Sequence, residues 1–175
     1  MAMFTISEVN ALDGEQFEAI FGNVIELCTD AAVQAQKEKP FKDVKGLCEA
    51  FVRYLDNLTE PEKLVILQLH PDLAGRMAAQ GELTRESNDE QRSAGLLDLS
   101  NEQMETINIR NYSYREKFGF PFIICARENK VQSIIEGLQR RYTNTKEQEI
   151  CIGIEEVKKI CRLRILDIVK NDGSI

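Results

Sequence analysis

The stretch Thr145-Lys-Glu-Gln-Glu-Ile150-Cys-Ile-Gly-Ile154-Glu-Glu-Val157-Lys-Lys-Ile-Cys161-Arg-Leu-Arg164-Ile165-Leu-Asp-Ile168-Val169 decides the fold class. Its apolar side chains at 150, 154, 157, 161, 165 and 168 return every three or four residues, the spacing that lines up one face of an α-helix. One long amphipathic helix is therefore predicted from about Thr145 to Val169.

Working toward the amino terminus, Val131 to Leu138 reads as another helix. Ahead of it, Phe118-Gly-Phe-Pro121-Phe-Ile-Ile-Cys-Ala126 breaks the helical rhythm, and five of its nine residues are Phe or Ile. That composition would suit a buried strand, but no partner strand is evident, so an extended buried connection is expected. A long helix should run from Ser100 through Phe118, and Leu96, Leu97 and Leu99 end the element before it. Ser87-Asn-Asp-Glu90 has capping-box spacing after a polar, turn-like stretch from Gly81. Leu64, Ile66 and Leu67 sit on a short helix, and Val44, Leu47, Cys48, Phe51, Leu55 and Leu58 on an amphipathic one. Thr29 and Asp30 open a helix that stops before Pro40. Asp13 or Gly14 starts one with Phe17, Ile20 and Phe21 inward, and Ser7 is expected to cap a short helix from Glu8. The expected architecture is all-α: a single-domain multi-helix bundle over residues 1–175, with one extended buried connection.

Composition agrees. The chain has 175 residues, 43% hydrophobic and 29% charged, enough for one substantial core. Its formal charge of -7 argues against a broad nucleic-acid face, which needs clustered positive charge. The lysines at 37, 39, 42 and 45 are interrupted by Glu38 and Asp43 and read as solvated surface. No stretch is long and apolar enough to cross a membrane. The amino terminus lacks the basic and apolar segments of a secretory signal. Cys28, Cys48, Cys125, Cys151 and Cys161 are odd in number and widely spaced, which fits reduced, mostly buried thiols and an intracellular location.

Four features could carry chemistry. His70 is the only histidine; Pro71 suits the first position of a helix, which would put His70 at an amino-terminal cap with Asp72 in the first turn. An imidazole so placed could cycle a proton near neutral pH, or simply cap and pack. Ser87, Glu90 and Gln91 fall on one side of a helical turn, able to grip a small polar ligand, although capping would explain the first two. Arg164 lies three residues after Cys161 and four before Ile168, on or beside the buried face. Its guanidinium cannot shed its charge, so it needs a bound carboxylate, a buried Asp or Glu, or ordered water, unless its stem snorkels. Around Pro121, non-helical main chain could hydrogen-bond a flat, amide-rich ligand between hydrophobic walls, or the phenylalanines could merely pack. A single histidine and dispersed cysteines offer no recognisable metal-ligand cluster, which leaves only an all-carboxylate site open; there is no glycine-rich phosphate loop, and Cys125 lacks an activating pair.

Taken in order, several blocks resemble the 2-oxo-4-hydroxy-4-carboxy-5-ureidoimidazoline (OHCU) decarboxylase family of urate breakdown. They are Phe21-Gly-Asn23, Pro40-Phe41, His70-Pro-Asp-Leu-Ala-Gly75, Gly81-Glu-Leu-Thr-Arg-Glu-Ser87-Asn-Asp-Glu-Gln91, Phe118-Gly-Phe-Pro-Phe122, and Glu155-Glu-Val-Lys-Lys-Ile160 followed by Leu163-Arg164. The resemblance runs nearly end to end. It implies an all-helical, commonly dimeric enzyme that uses no cofactor and converts OHCU to (S)-allantoin. It also implies that His70 and Glu90 are catalytic, and that Pro71, Ser87, Gln91, Phe120, Pro121, Phe122, Ile123, Ile124 and Arg164 bind the small ureidoimidazoline substrate. The tail Asn-Asp-Gly-Ser-Ile175 departs from the serine-lysine-leucine address of many eukaryotic relatives, so both a peroxisomal and a cytoplasmic location stay open. The rival readings are a noncatalytic helical adaptor, possibly binding a purine metabolite, and hydrolysis of the unstable precursor of OHCU.

Overall fold

The computed structural model describes residues 3–175; Met1 and Ala2, where the reading of the amino terminus begins, lie outside the described residues. Every regular element among them is helical, and strand-like pairing is limited to one isolated parallel bridge between Phe4 and Val169. The chain divides into two compact units, one built from residues up to Glu62 together with Lys158–Ile175, the other from Lys63–Val157.

The first unit opens with α1 (Ile6–Ala11), α2 (Gly14–Phe21), α3 (Thr29–Ala35) and α4 (Val44–Asp56). Thr5, and not Ser7, caps α1: its hydroxyl accepts from the Glu8 amide while Glu8 returns a bond to the Thr5 amide. The reason is spacing, since Thr5 has a glutamate three residues on whereas Ser7 has Asn10. Asp13 caps α2 in the same reciprocal way with Gln16, as expected. Helical spacing on α2 and α4 then brings Phe17, Phe21 and Phe51 together with Phe41, their ring centroids 4.6 to 6.4 Å apart. The cluster is all phenylalanine, with Lys39 Nζ 5.5 Å from the Phe17 centroid.

The remaining helices are α5 (Glu60–Gln68), α6 (Arg76–Ala79), α7 (Arg85–Ser93), α8 (Asn101–Phe118), α9 (Val131–Arg141) and α10 (Lys146–Ile168). On α10 the expected stripe is buried at Ile150, Ile154, Val157, Cys161 and Ile165, and Arg162 faces solvent. Gly153 lets α10 lie directly against α5: a Cβ there would come 2.9 Å from Leu67 Cδ2. Ser100 caps α8 reciprocally with Gln103, and Gly119 ends it at φ +82°, a left-handed conformation that glycine adopts without strain. From there the chain leaves the helix as the non-helical segment that runs through Phe120 to Cys125. It is buried at every residue except the half-buried Ile124, and it has no strand partner among the described residues.

Candidate active site

His70 lies just beyond the last turn of α5, its amide 3.3 Å from the Leu67 carbonyl. The helix expected to begin at Pro71 does not form. Residues 71–75 make a loop with Ala74 at φ +53°, and α6 starts only at Arg76. Side chains from two other helices take the main-chain groups that a helix would have used. Gln91 Oε1 accepts from the Ala74 amide at 2.8 Å, Gln91 Nε2 donates to the Asp72 carbonyl at 3.3 Å, and Asn111 Nδ2 donates to the Leu73 carbonyl at 2.8 Å. Arg115 adds a 2.9 Å bond to Asp72 Oδ1. His70 therefore stands at the carbonyl end of a helix, where the local field welcomes positive charge, opposite in sign to the expected cap position.

The ring is buried, and its Nδ1 lies 3.0 Å from the Ile66 carbonyl. A carbonyl can only accept, so the neutral imidazole carries its proton on Nδ1 and presents the lone pair of Nε2.

Thr84, three residues before Ser87, caps α7 and accepts from the Ser87 amide at 3.2 Å. The expected Ser87–Glu90 capping box is thus replaced by a cap one turn earlier. Both side chains sit inside the helix, three residues apart on one side, and both are buried. Ser87 lies in the first turn of α7, while the Glu90 carboxylate is withdrawn from water one turn further on, away from the cap. Gln91, next in sequence, stitches α7 to the main chain of the loop that follows His70. The geometry gives it the work of holding that loop.

Phe120, Pro121, Phe122 and Ile123 are buried and Ile124 half-buried, in the same unit as His70, Pro71, Ser87, Glu90 and Gln91. Pro71 is half-buried. Cys125, at the end of the segment, has its thiol pushed up to about 11 by burial, which leaves it inert as a nucleophile at neutral pH. Arg164 belongs to the first unit, where its charge meets one of the alternatives foreseen for it. Nη1 lies 3.0 Å from Glu26 Oε1 and 2.8 Å from the Asn23 carbonyl, with Arg164 and Glu26 only 3% and 2% exposed. Glu26 escaped sequence reasoning because it falls in the non-helical stretch between α2 and α3, where no periodicity marks a buried side. Also missed was a network in the second unit: Arg141 bonds Glu149, which in turn accepts from Tyr114 and Asn144. No cluster of metal-ligating side chains occurs among the described residues, and none of their helices is long and apolar enough to cross a membrane.

The fold is all-helical, and one of its units buries an imidazole together with a serine and a glutamate one turn apart, the residue types of acid–base chemistry. Residues 10–166 match the family model described as OHCU decarboxylase. The 2-oxo-4-hydroxy-4-carboxy-5-ureidoimidazoline decarboxylase of Xenopus laevis is 41% identical over 167 residues, covering 95% of each chain. That of Amia calva is 42% identical over 163 residues, covering 93% of each. A crystal structure of (S)-allantoin synthase superposes with a TM-score of 0.77 at 22% identity; it is matched over 95% of this chain and 54% of its own, and it bears on the fold alone. The chain belongs to the OHCU decarboxylase family.

Proposed function

We propose that the chain decarboxylates OHCU to (S)-allantoin without a cofactor, with His70 as the base that starts the reaction. The observation that carries this is the buried imidazole with Nδ1 directed at the Ile66 carbonyl, which leaves Nε2 as the proton acceptor. Family membership supplies the substrate. OHCU is a flat imidazoline bearing a ureido group and, on one ring carbon, both a hydroxyl and a carboxylate. His70 takes the hydroxyl proton, the bond to the carboxylate breaks, and its electron pair passes into the adjacent ring C=N and C=O system as carbon dioxide leaves. The hydroxylated carbon becomes a ring carbonyl of the product, and one proton is delivered from His70 or Glu90 to a single face of the neighbouring carbon that bears the ureido group, which gives the product its handedness.

Ser87 and the main-chain groups of the Phe120–Ile124 segment hold the ureido and ring amides in this proposal, and the buried Phe120 and Pro121 keep bulk water from the departing carboxylate. Gln91 serves mainly by fixing the loop after His70, and Pro71 by fixing the chain beside it. Arg164 enters as a substrate-binding residue from the family resemblance alone. The same resemblance supports a homodimer, which sedimentation would test. The five free cysteines, four of them buried, support an intracellular location, peroxisomal or cytoplasmic, which imaging of the tagged chain would resolve.

The deciding experiment feeds freshly generated OHCU to the purified protein and follows the chiral signal of allantoin. The expected result is a rapid (S)-specific signal that His70→Ala lowers by about 10²-fold or more. Near-normal turnover by His70→Ala would sink the catalytic assignment. Stoichiometric binding without turnover would instead favour the purine-metabolite-binding protein, and consumption of the precursor, but not of OHCU, the hydrolase.

A further inference from the structure

The Phe120–Cys125 segment is held by polar groups that its own sequence does not suggest. Arg141 Nη1 donates to the Ile123 carbonyl at 2.6 Å, the Cys125 amide donates to Glu156 Oε1 at 3.0 Å, and Asn129 Nδ2 donates to the Cys125 carbonyl at 2.9 Å. In an extended chain the N–H and C=O of one residue point to the same edge and those of the next residue to the opposite edge. Cys125 is extended (φ -69°, ψ 94°), and an extended course through residues 122–124 would set the main-chain groups of Phe122 and Ile124 on the edge opposite those of Ile123 and Cys125.

Arg141 fixes this arrangement in three ways at once. Beyond the carbonyl bond, its guanidinium carbon lies 4.3 Å from the centroid of the Phe122 ring, and its Nε donates to Glu149 Oε1 at 2.9 Å. Glu149 has no exposed surface and is itself pinned by the Tyr114 hydroxyl at 2.5 Å and Asn144 Nδ2 at 2.9 Å. Gly137 on α9 makes room for the contact: a Cβ there would stand 3.3 Å from Phe122 Cζ. The carbonyl bond locates the segment's edge, the ring contact locates its face, and the ion pair prevents the arginine from shifting. A buried ion pair is a poor source of net stability compared with apolar packing, so fixed orientation is what this one contributes.

We propose that Arg141, backed by Glu149, is a positioning residue for the decarboxylation. It holds the Phe120–Cys125 segment so that the Phe122 and Ile124 amides point at the oxygen on which negative charge grows as carbon dioxide leaves. This rests on the decarboxylase reading above. Arg141 does not touch the substrate; it acts through the main chain, whose dipoles stabilise a transition state only if they are already aimed.

Arg141→Lys tests it, because lysine keeps the charge facing Glu149 but one ammonium cannot serve a carboxylate, a carbonyl and a ring face together. The expected result is a fall in kcat of about 10- to 100-fold with KM changed by less than about threefold, the signature of an interaction made only in the transition state. An unchanged kcat, or a raised KM with unchanged kcat, would overturn the proposal. Should the variant not fold, the wild-type protein decides: titration with (S)-allantoin followed by amide NMR is expected to shift Phe122 and Ile124 while leaving Cys125, already committed to Glu156, in place. No shift at Phe122 and Ile124 overturns the proposal. A wild-type protein that makes no allantoin from OHCU brings down the decarboxylase reading itself, whereas an active wild type with a fully active Arg141→Lys brings down only the positioning role.

Discussion

Arg164 in the first unit and Arg141 in the second are built alike: each is buried, and each sets its guanidinium between a glutamate and a main-chain carbonyl. They differ in what surrounds the pair. Arg164 and Glu26 belong to a unit whose aromatic cluster, Phe17, Phe21, Phe41 and Phe51, is built of phenylalanines alone, with Lys39 over the Phe17 ring. Arg141 and Glu149 sit beside a cluster centred on a tyrosine, with Tyr114 against Phe118, Phe120 and Phe122 and its hydroxyl on the glutamate. In the second unit the charges and the aromatic core form one network. The same pair of residue types thus supports one residue's position in one place and a whole segment's in the other.

That difference can be tested by cutting each network. The largest effect is expected for Glu149→Ala, which leaves Arg141 buried without its counterion and removes the acceptor of Tyr114 and Asn144; it should cost about 3–5 kcal/mol in a urea unfolding curve. Glu26→Ala, which breaks a pair outside the tyrosine-centred cluster, should cost less, and an equal or greater loss there would show that the link from Glu149 to Tyr114 contributes nothing.

Next comes Arg164→Lys. If Arg164 grips substrate oxygens at two points, the variant should lose activity by about tenfold or more, chiefly through KM. Arg141→Lys should lose it through kcat. Identical kinetic signatures would erase the distinction between the two arginines, and an unchanged rate in Arg164→Lys would make that arginine structural.

The smallest effect is expected for Tyr114→Phe, about 1.5–3 kcal/mol at neutral pH for one hydrogen bond to a charged group. Burial, reinforced by the Glu149 carboxylate, holds the Tyr114 phenol above its ordinary range. A group whose folded pKa is raised favours the fold below its unfolded value and loses that advantage as pH rises past it, here from roughly pH 10 upward. Wild type should therefore weaken in alkali more than Tyr114→Phe does, and the gap between their melting temperatures should narrow from pH 7 to pH 11. A constant gap would count against the phenol's burial as its cause.

Much of the fold was readable because helical periodicity repeats the same information many times. The stripe on α10 states its buried side at five positions over four turns, so a single misjudged residue would not have hidden it. The caps were less secure because each rests on two residues: Ser7 and Ser87 were both favoured over threonines lying two and three residues earlier. At Ser87 the local spacing suggests a capping pair, whereas the fold sets the cap at Thr84 and buries both Ser87 and Glu90. Pro71 misled for a related reason. Its fixed φ suits the start of a helix, but Gln91 and Asn111 compete for the backbone there, and neither is near it in sequence.

Residue order alone settled that the chain is helical, that it leaves helix around Pro121, and that Arg164 needed a partner, because each depends on patterns or charges confined to a few turns. It settled too which residues were worth suspecting. Packing decided which nitrogen of His70 bears the proton, that Glu26 answers Arg164 from 138 positions away, and that Arg141 reaches the Ile123 carbonyl. A hydrogen bond between distant residues leaves no local trace. It exists only once burial has removed water as the competing partner and brought donor and acceptor within 3 Å or so of each other.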